Sequence, residues 1–527
     1  MKQLAILAAA VAIATAQSYI GRLDTIGGTT YDCWATANVH RSLVNSPRYG
    51  IHAVWTYSAS TAGTNFPDRN TRYNFYDHST WAWNWLDVDY MQSGVNVFGH
   101  RTGHGVLAAD TSGRAVVGAH DDSGLALAWD AAPGAGIFDY SNGPSGYYWP
   151  DIAFGDDSVL HVAMSSGTGV SYSHVTGSSG WDSVRVLDSL AFPSYALAAS
   201  RTGPSVCATW VGDTDAFYMV SDNCGDTWSS RMLLDAPPAF GGDTITRFSM
   251  HGLFVFFDSQ GRLHITAAVY PEVHDTAYVN PAEIWHWSPD NQPHWARIHH
   301  AGCRPENMQG SVGYDAIYAD RPSIGEGDDG DLYVAWEQFD SSNVEPQAGR
   351  LRAGVWASGS DDNGALWGAG SQLTEKNSSS HRFPCIMDRA LPGDPYDTVC
   401  VLYLKDSVAG FFVQGEGPAT FNPVMCQFVP TDYDGVADGP KPQALSSELA
   451  ASIVHGVLLL PRGAGHDPIP LGESGLCLKP QLLDAAGRMV LNLHPGANDV
   501  SGLSPGVYFL RPSAGGAGTT RKLVIAE

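Results

Sequence analysis

Two eight-residue stretches, Ser221-Asp222-Asn223-Cys224-Gly225-Asp226-Thr227-Trp228 and Ser360-Asp361-Asp362-Asn363-Gly364-Ala365-Leu366-Trp367, share the spelling Ser-x-(Asp/Asn)-x-Gly-x-x-Trp. Such a string predicts a tight β-hairpin. Asn223 or Asp362 can bond its own backbone in an Asx-turn, and Gly225 or Gly364 supplies a positive φ. The Trp is expected to fold back onto the hairpin as an apolar latch. Two copies in register mark a repeated unit of β-structure.

Around them runs a two-part module. Its first part is an apolar strand ending in a bulky residue: 51–55, 115–119, 160–164, 206–210, 263–267, 332–336 and 399–403. Turns such as Asp110-Thr111-Ser112-Gly113 and Asp258-Ser259-Gln260-Gly261 precede some of these strands. The second part is an apolar strand, a polar turn and a Trp, and both Ser-x-(Asp/Asn)-x-Gly-x-x-Trp stretches fall there. The module recurs every 45 to 70 residues or so, a period of propeller blades rather than of sandwiches.

The two stretches resemble the Asp-box (bacterial neuraminidase repeat) of sialidase-type β-propellers. The resemblance implies that Ser221, Asn223, Gly225, Trp228, Ser360, Asp362, Gly364 and Trp367 are structural, on the outer part of the blades and away from any pocket. Sialidase-type domains have six blades, whereas seven modules fit seven blades, or six with a shared closing blade. The expectation is an all-β chain, a six- or seven-bladed propeller followed by a small C-terminal β-sandwich.

In a propeller, residues at the start of each innermost strand converge on the axis. Upstream of the repeated strands stand Arg101, Arg247, Arg321 and Arg382, while other modules hold Trp149-Pro150-Asp151 and Phe192-Pro193. Arginines facing one axis repel unless an anion, or neighbours such as Asp151 and Asp320, compensates. Two readings follow: a carboxylate-binding ring, or salt bridges tying adjacent blades. Sialidases grip their substrate carboxylate with three arginines, and Arg382-Phe383-Pro384 is similar to their Arg-Ile-Pro motif, although here it opens the last module and not the first. No Tyr–Glu pair or catalytic Asp aligns; Glu337, Glu272 after Tyr270, and Tyr314-Asp315 are residues of the right type only. Asn74-Phe75-Tyr76-Asp77 with Trp81, Trp83 and Trp85 reads either as core or as a stacking platform for sugar rings.

Composition narrows the function. The 527 residues carry a net charge of −25, which argues against nucleic acid or an anionic membrane surface as partner. The chain lacks a zinc spacing, a nucleophile elbow and a phosphate-cradling loop, so no metal or cofactor is expected. Residues 1–16 read as a signal peptide, with Lys2, an apolar run from Leu4 to Ala14 and a small-x-small end at Ala14-Thr15-Ala16. No other stretch is apolar enough for a membrane anchor. In an exported protein the pairs Cys207/Cys224 and Cys385/Cys400 could bridge or stay as thiols.

After the propeller (17–430), the Asp-, Gly-, Pro- and Ser-rich residues 431–449 read as a linker, and the acidic run Asp432–Gly439 is spaced like a fragment of a calcium loop. Residues 450–527 change texture: Leu482-Leu483-Asp484-Ala485-Ala486-Gly487-Arg488 and Leu503-Ser504-Pro505-Gly506-Val507-Tyr508 are strands with sharp turns. This segment resembles the C-terminal sorting domain of type IX secretion, implying an outer-membrane export machine as a partner and an extracellular or cell-surface location. Two functions stay open: a non-catalytic propeller that binds glycan or surface protein, or a sialidase-type hydrolase of acidic sugars.

Overall fold

The structure is a computed structural model. It describes residues 20–156, 158–178, 180–189, 194–212, 215–240, 247–273, 276–393 and 397–431, and shorter stretches at 452–454, 457–460, 481–484, 488–493, 496–500, 502–511 and 521–525. The signal segment and nearly all of the linker, with its acidic run, lie outside the described residues.

Among the described residues, seven antiparallel sheets of four or five strands follow one another from residue 22 to 430. Each is laid down from its innermost strand outward. The innermost strands are Leu43–Ser46, Gly103–Ala109, Tyr148–Phe154, Tyr195–Ala199, Arg247–Phe257, Ala319–Glu326 and Ser380–Ile386. The repeated apolar strands are the second strand of each sheet. They are covered on both faces, which is why they read as unbroken apolar runs. Trp55, Trp210 and Trp336 end three of them and are fully buried between sheets.

Successive innermost strands pack side by side, and the ring is closed at both radii. Asn45 N donates to Asp388 Oδ1 at 2.8 Å, joining the first innermost strand to the residues just past the seventh. Farther out, Arg22–Thr29 pairs with Asn422–Pro430 and becomes the outermost strand of the seventh sheet. The fold is a β-propeller.

Three local devices recur. In Asp110-x-x-Gly113-Arg114 and Asp258-x-x-Gly261-Arg262, one Asp oxygen accepts from the Arg N–H and the other from its Nε; Asp484 and Arg488 repeat the arrangement in the C-terminal unit. A buried His on the second strand bonds an aromatic residue on the third: His52 to Tyr73 and His161 to Tyr172 at 2.7 Å, His264 to His286 at 3.0 Å. The third device is the pair of turns that opened the sequence analysis. Ser221 Oγ accepts from Gly225 N and donates to Asn223 Oδ1, and Ser360 does the same with Gly364 and Asp362.

The tryptophans of those turns reach past their own hairpins to the preceding sheet, although Trp367 Nε1 also donates to Gly364 O of its own turn at 3.0 Å. Trp228 meets Tyr172 of the preceding sheet edge-on, with centroids 4.8 Å apart, and Trp367 meets His286 of its preceding sheet at 5.4 Å. The glycines show why: a Cβ at Gly225 would stand 1.8 Å from Tyr172 Oη, and one at Gly364 2.2 Å from His286 Cε1. Each turn is pressed so closely onto its neighbour that the Trp finds apolar cover there, and the turn becomes a staple between sheets.

In the run from Asn74 to Trp85, Phe75, Tyr76 and Trp83 are core, and Trp81 is exposed. Cys207, Cys385 and Cys400 are free thiols. The antiparallel register sets Cys385 opposite Leu402 and Cys400 opposite Phe428, so neither thiol of that pair faces the other. The chain divides into two compact units at Gly439/Pro440. The second contains a five-stranded and a two-stranded sheet, with Leu482, Leu493, Val500 and Tyr508 in its core. Among the described residues no helix is long and apolar enough to cross a membrane.

Candidate functional site

Five of the innermost strands carry the same irregularity. In each, two residues oppose one on the second strand: His104-Gly105, Trp149-Pro150, His251-Gly252, Arg321-Pro322 and Phe383-Pro384. The second residue is always Gly or Pro, which tolerates the missing ladder bond. His104, Trp149, Arg321 and Phe383 have φ between 52° and 59°, a conformation that costs bulky residues about 1–3 kcal/mol each. These bulges re-aim the first side chain of each pair at one end of the axis.

That end is not an open mouth. The chain between the strands Arg22–Thr29 and Leu43–Ser46 crosses it and touches the innermost strand of each of the other six sheets. Trp34 O accepts from His104 Nδ1 at 3.2 Å and Thr36 O from Arg321 Nε at 2.9 Å. Asn38 donates to Tyr195 O and accepts from Leu253 N. His40 stands 3.5 Å from Asp151, and Arg41 donates to Ile386 O and Ile324 O. This crossing had no signal in the sequence beyond a stretch without strand alternation.

Two of the sequence-selected arginines meet beneath it. Glu337, fully buried, takes a two-pronged contact from Arg382 (Nε 3.1 Å, Nη2 3.0 Å) and one from Arg321 Nη1 at 2.5 Å. Phe383 N completes its shell. Arg321 also reaches Asp320 and Asp315 O. Burial works to raise the Glu337 pKa, but Arg382 and Arg321 together outweigh it and hold the carboxyl at about 2. Both guanidiniums are thus matched from within the protein.

The expectation that the four arginines share one position is corrected by the bulges. Arg321 occupies the bulge itself and Arg382 the residue before it. Arg101 stands three residues before His104, and Arg247 four before His251. A shift of even one residue along a strand reverses the face a side chain presents. Arg101 points outward to Asp122 at 2.8 Å and to Phe66 O. Arg247 begins its strand opposite Glu272, and its side chain lies outside what is described. Asp151 accepts from Leu197 N.

Asp320 has a second role. His251 places Nδ1 3.0 Å from Asp320 and Nε2 3.2 Å from Asp315. Burial opposes its charged form, yet the two carboxylates prevail and raise its pKa to about 9. It is an imidazolium at neutral pH. Tyr270 lies edge-on to it, and Tyr314, next to Asp315, is exposed. Across the ring, His104 and His120 stack at 5.0 Å; burial first, then Arg69 for His104 and the His104 ring ahead of Arg69 for His120, lower them to about 4 and about 2, so both are neutral. Tyr148 and Trp149 flank His120.

A roomy recess lies beside this rim, between the first and second sheets. It is an open groove of about 600 Å³ lined in part by Arg69, Asn96, His100, Arg101 and Tyr140. Its one acidic liner, Asp68, is occupied by Ser58 Oγ and Ala59 N. Tyr140 is 51% exposed and packs on His100 at 5.1 Å. Arg69 links groove and rim, lying over the Tyr31 ring, which in turn meets His104. Of these residues only Arg101 was selected from sequence. Among the described residues no group of His, Cys, Asp and Glu is placed to hold a metal ion.

No known family and no curated protein matches the sequence. Several solved structures are similar to the chain at low identity. The polysaccharide lyase PL25 ulvan lyase is 12% identical over 74% of this chain and 100% of its own, with a TM-score of 0.43. The phage phi92 endosialidase is 9% identical over 96% and 88%, at 0.39. The GH74 xyloglucanase from Xanthomonas campestris is 12% identical over 73% and 54%, at 0.37.

Proposed function

We propose that this protein is an exported propeller that binds an acidic glycan in the groove between its first and second sheets. The observation that carries this reading is the pairing of two guanidiniums, Arg69 and Arg101, with the exposed face of Tyr140 in one open recess. Aromatic faces suit the C–H surface of a pyranose ring, and guanidiniums suit carboxylate or sulfate. The groove's volume falls within the range of small-ligand sites. The alternative, hydrolysis of an acidic sugar at Arg321 and Arg382, draws less support because Glu337 already engages both.

Export rests on the signal-like residues 1–16 and on the type IX sorting resemblance of residues 450–527. The test is calorimetric titration with uronate-rich, sulfated and neutral polysaccharides. Acidic chains are expected to bind and to weaken with salt, while Arg101→Gln loses affinity by about tenfold. Equal binding of neutral chains, or a Tyr140→Ala variant that binds as wild type, rejects the groove. Release of sugar from a fluorogenic sialoside would favour the hydrolase instead.

A further inference from the structure

A second recess lies on the axis itself, bounded by Arg41 of the crossing segment and by the middles of the innermost strands, and encloses about 80 Å³. Three arginines from three separate places line it: Arg41, Arg201 beyond the fourth innermost strand, and Arg389 beyond the seventh. Phe254 and Phe256 form part of the wall, and Arg41 lies over both rings.

The charges in this recess do not balance. Asp388 stands 3.6 Å from Arg201 and accepts from Asn45 N. Asp151, the other carboxylate of the lining, is turned to Leu197 N and His40. Arg41 donates to two backbone carbonyls, and among the described residues neither it nor Arg389 has a carboxylate within ion-pair distance. Glu326, the backbone neighbour of Arg389, accepts from Ser259 with both oxygens and feels the Arg389 charge only from beyond ion-pair distance. The three cations feel one another: burial lowers the Arg201 pKa, Asp388 opposes this, and Arg389 and Arg41 lower it further. Arginine cannot shed its proton to escape, and an enclosed charge without a partner is costly. Yet 34% of the Arg201 side-chain surface remains accessible, facing space and not packed atoms.

We infer that this axial recess is a structural anion site that takes one small tetrahedral oxyanion, of the phosphate or sulfate kind, among Arg41, Arg201 and Arg389. Guanidinium forks match oxyanions better than halides because each can present two parallel N–H groups to two oxygens. The site is separate from the glycan groove, so failure of one leaves the other standing.

Sulfate and phosphate are titrated into the full-length protein at constant ionic strength, with chloride as the balancing ion, while Tm is followed. The expected result is a saturating rise in Tm. A general salting effect of sulfate climbs without saturation, and that outcome, or an equal response to chloride, overturns the site. Arg389→Met removes the arginine that has neither a carboxylate within ion-pair distance nor the backbone-carbonyl contacts of Arg41, so it disturbs the fold least; it is expected to weaken apparent sulfate affinity about tenfold, and unchanged affinity counts against the assignment. Crystals of the unaltered protein soaked in selenate give a test that needs no variant. An anomalous peak among the three guanidiniums is expected, and its absence rejects the proposal.

Discussion

Glu337 is the residue on which most depends. Two buried guanidiniums share it, so Glu337→Gln leaves both with one carboxylate charge fewer and is expected to destabilise the protein by about 3–5 kcal/mol, read from urea unfolding. Because its pKa is depressed to about 2, the stability it contributes is present above its ordinary range and lost as pH falls through about 2. His251 behaves oppositely. Its pKa is raised to about 9, so its contribution is complete below the ordinary imidazole range and vanishes as pH rises through about 9. The Tm difference between wild type and His251→Gln is therefore expected to shrink on going from neutral to alkaline pH; a constant difference means that His251 is held by packing and not by charge. At this scale the sequence named Arg321, Arg382, Asp320 and Glu337 but not their grouping. Glu337 is one of many acidic residues in the chain until folding brings Arg321 and Arg382 to it.

Among the elements, the two Ser-x-(Asp/Asn)-x-Gly-x-x-Trp turns act between sheets. Removing the large aromatic in Trp228→Ala is expected to cost about 3 kcal/mol, measured by thermal or denaturant unfolding, and to leave glycan affinity intact. Lost affinity at unchanged Tm assigns the turn a binding role instead. The hydrogen-bonding of these turns was legible because it is local: Ser, Asn or Asp, and Gly lie within four residues of one another. The partner of the Trp was not, since Tyr172 and His286 are brought in by the stacking of sheets. The innermost-strand bulges fall between these cases. Trp149-Pro150 and Arg382-Phe383-Pro384 stood out in the sequence, but the shared feature was the Gly or Pro after the aimed residue, and not the arginine.

For the whole molecule, the ring is closed by Arg22–Thr29 against the last described propeller strand, and the two compact units part at Gly439/Pro440. Deleting everything after Leu449 is thus expected to leave a propeller that unfolds cooperatively as before, while abolishing surface delivery in a type IX-competent host. Normal delivery of the truncated protein refutes the sorting role, and a lost unfolding transition refutes the independence of the units. By itself the sequence determined the all-β class, the repeat of seven apolar strands and the place of the change in texture, because alternation, turn chemistry and spacing act over a few residues. Only the tertiary structure decided that residues 30–42 cross the axis, that Arg321 and Arg382 neutralise one carboxylate, and that Arg41, Arg201 and Arg389 face a common recess. Those relations join residues hundreds of positions apart, and they exist only once the ring has closed and the bulges have turned each side chain toward it or away.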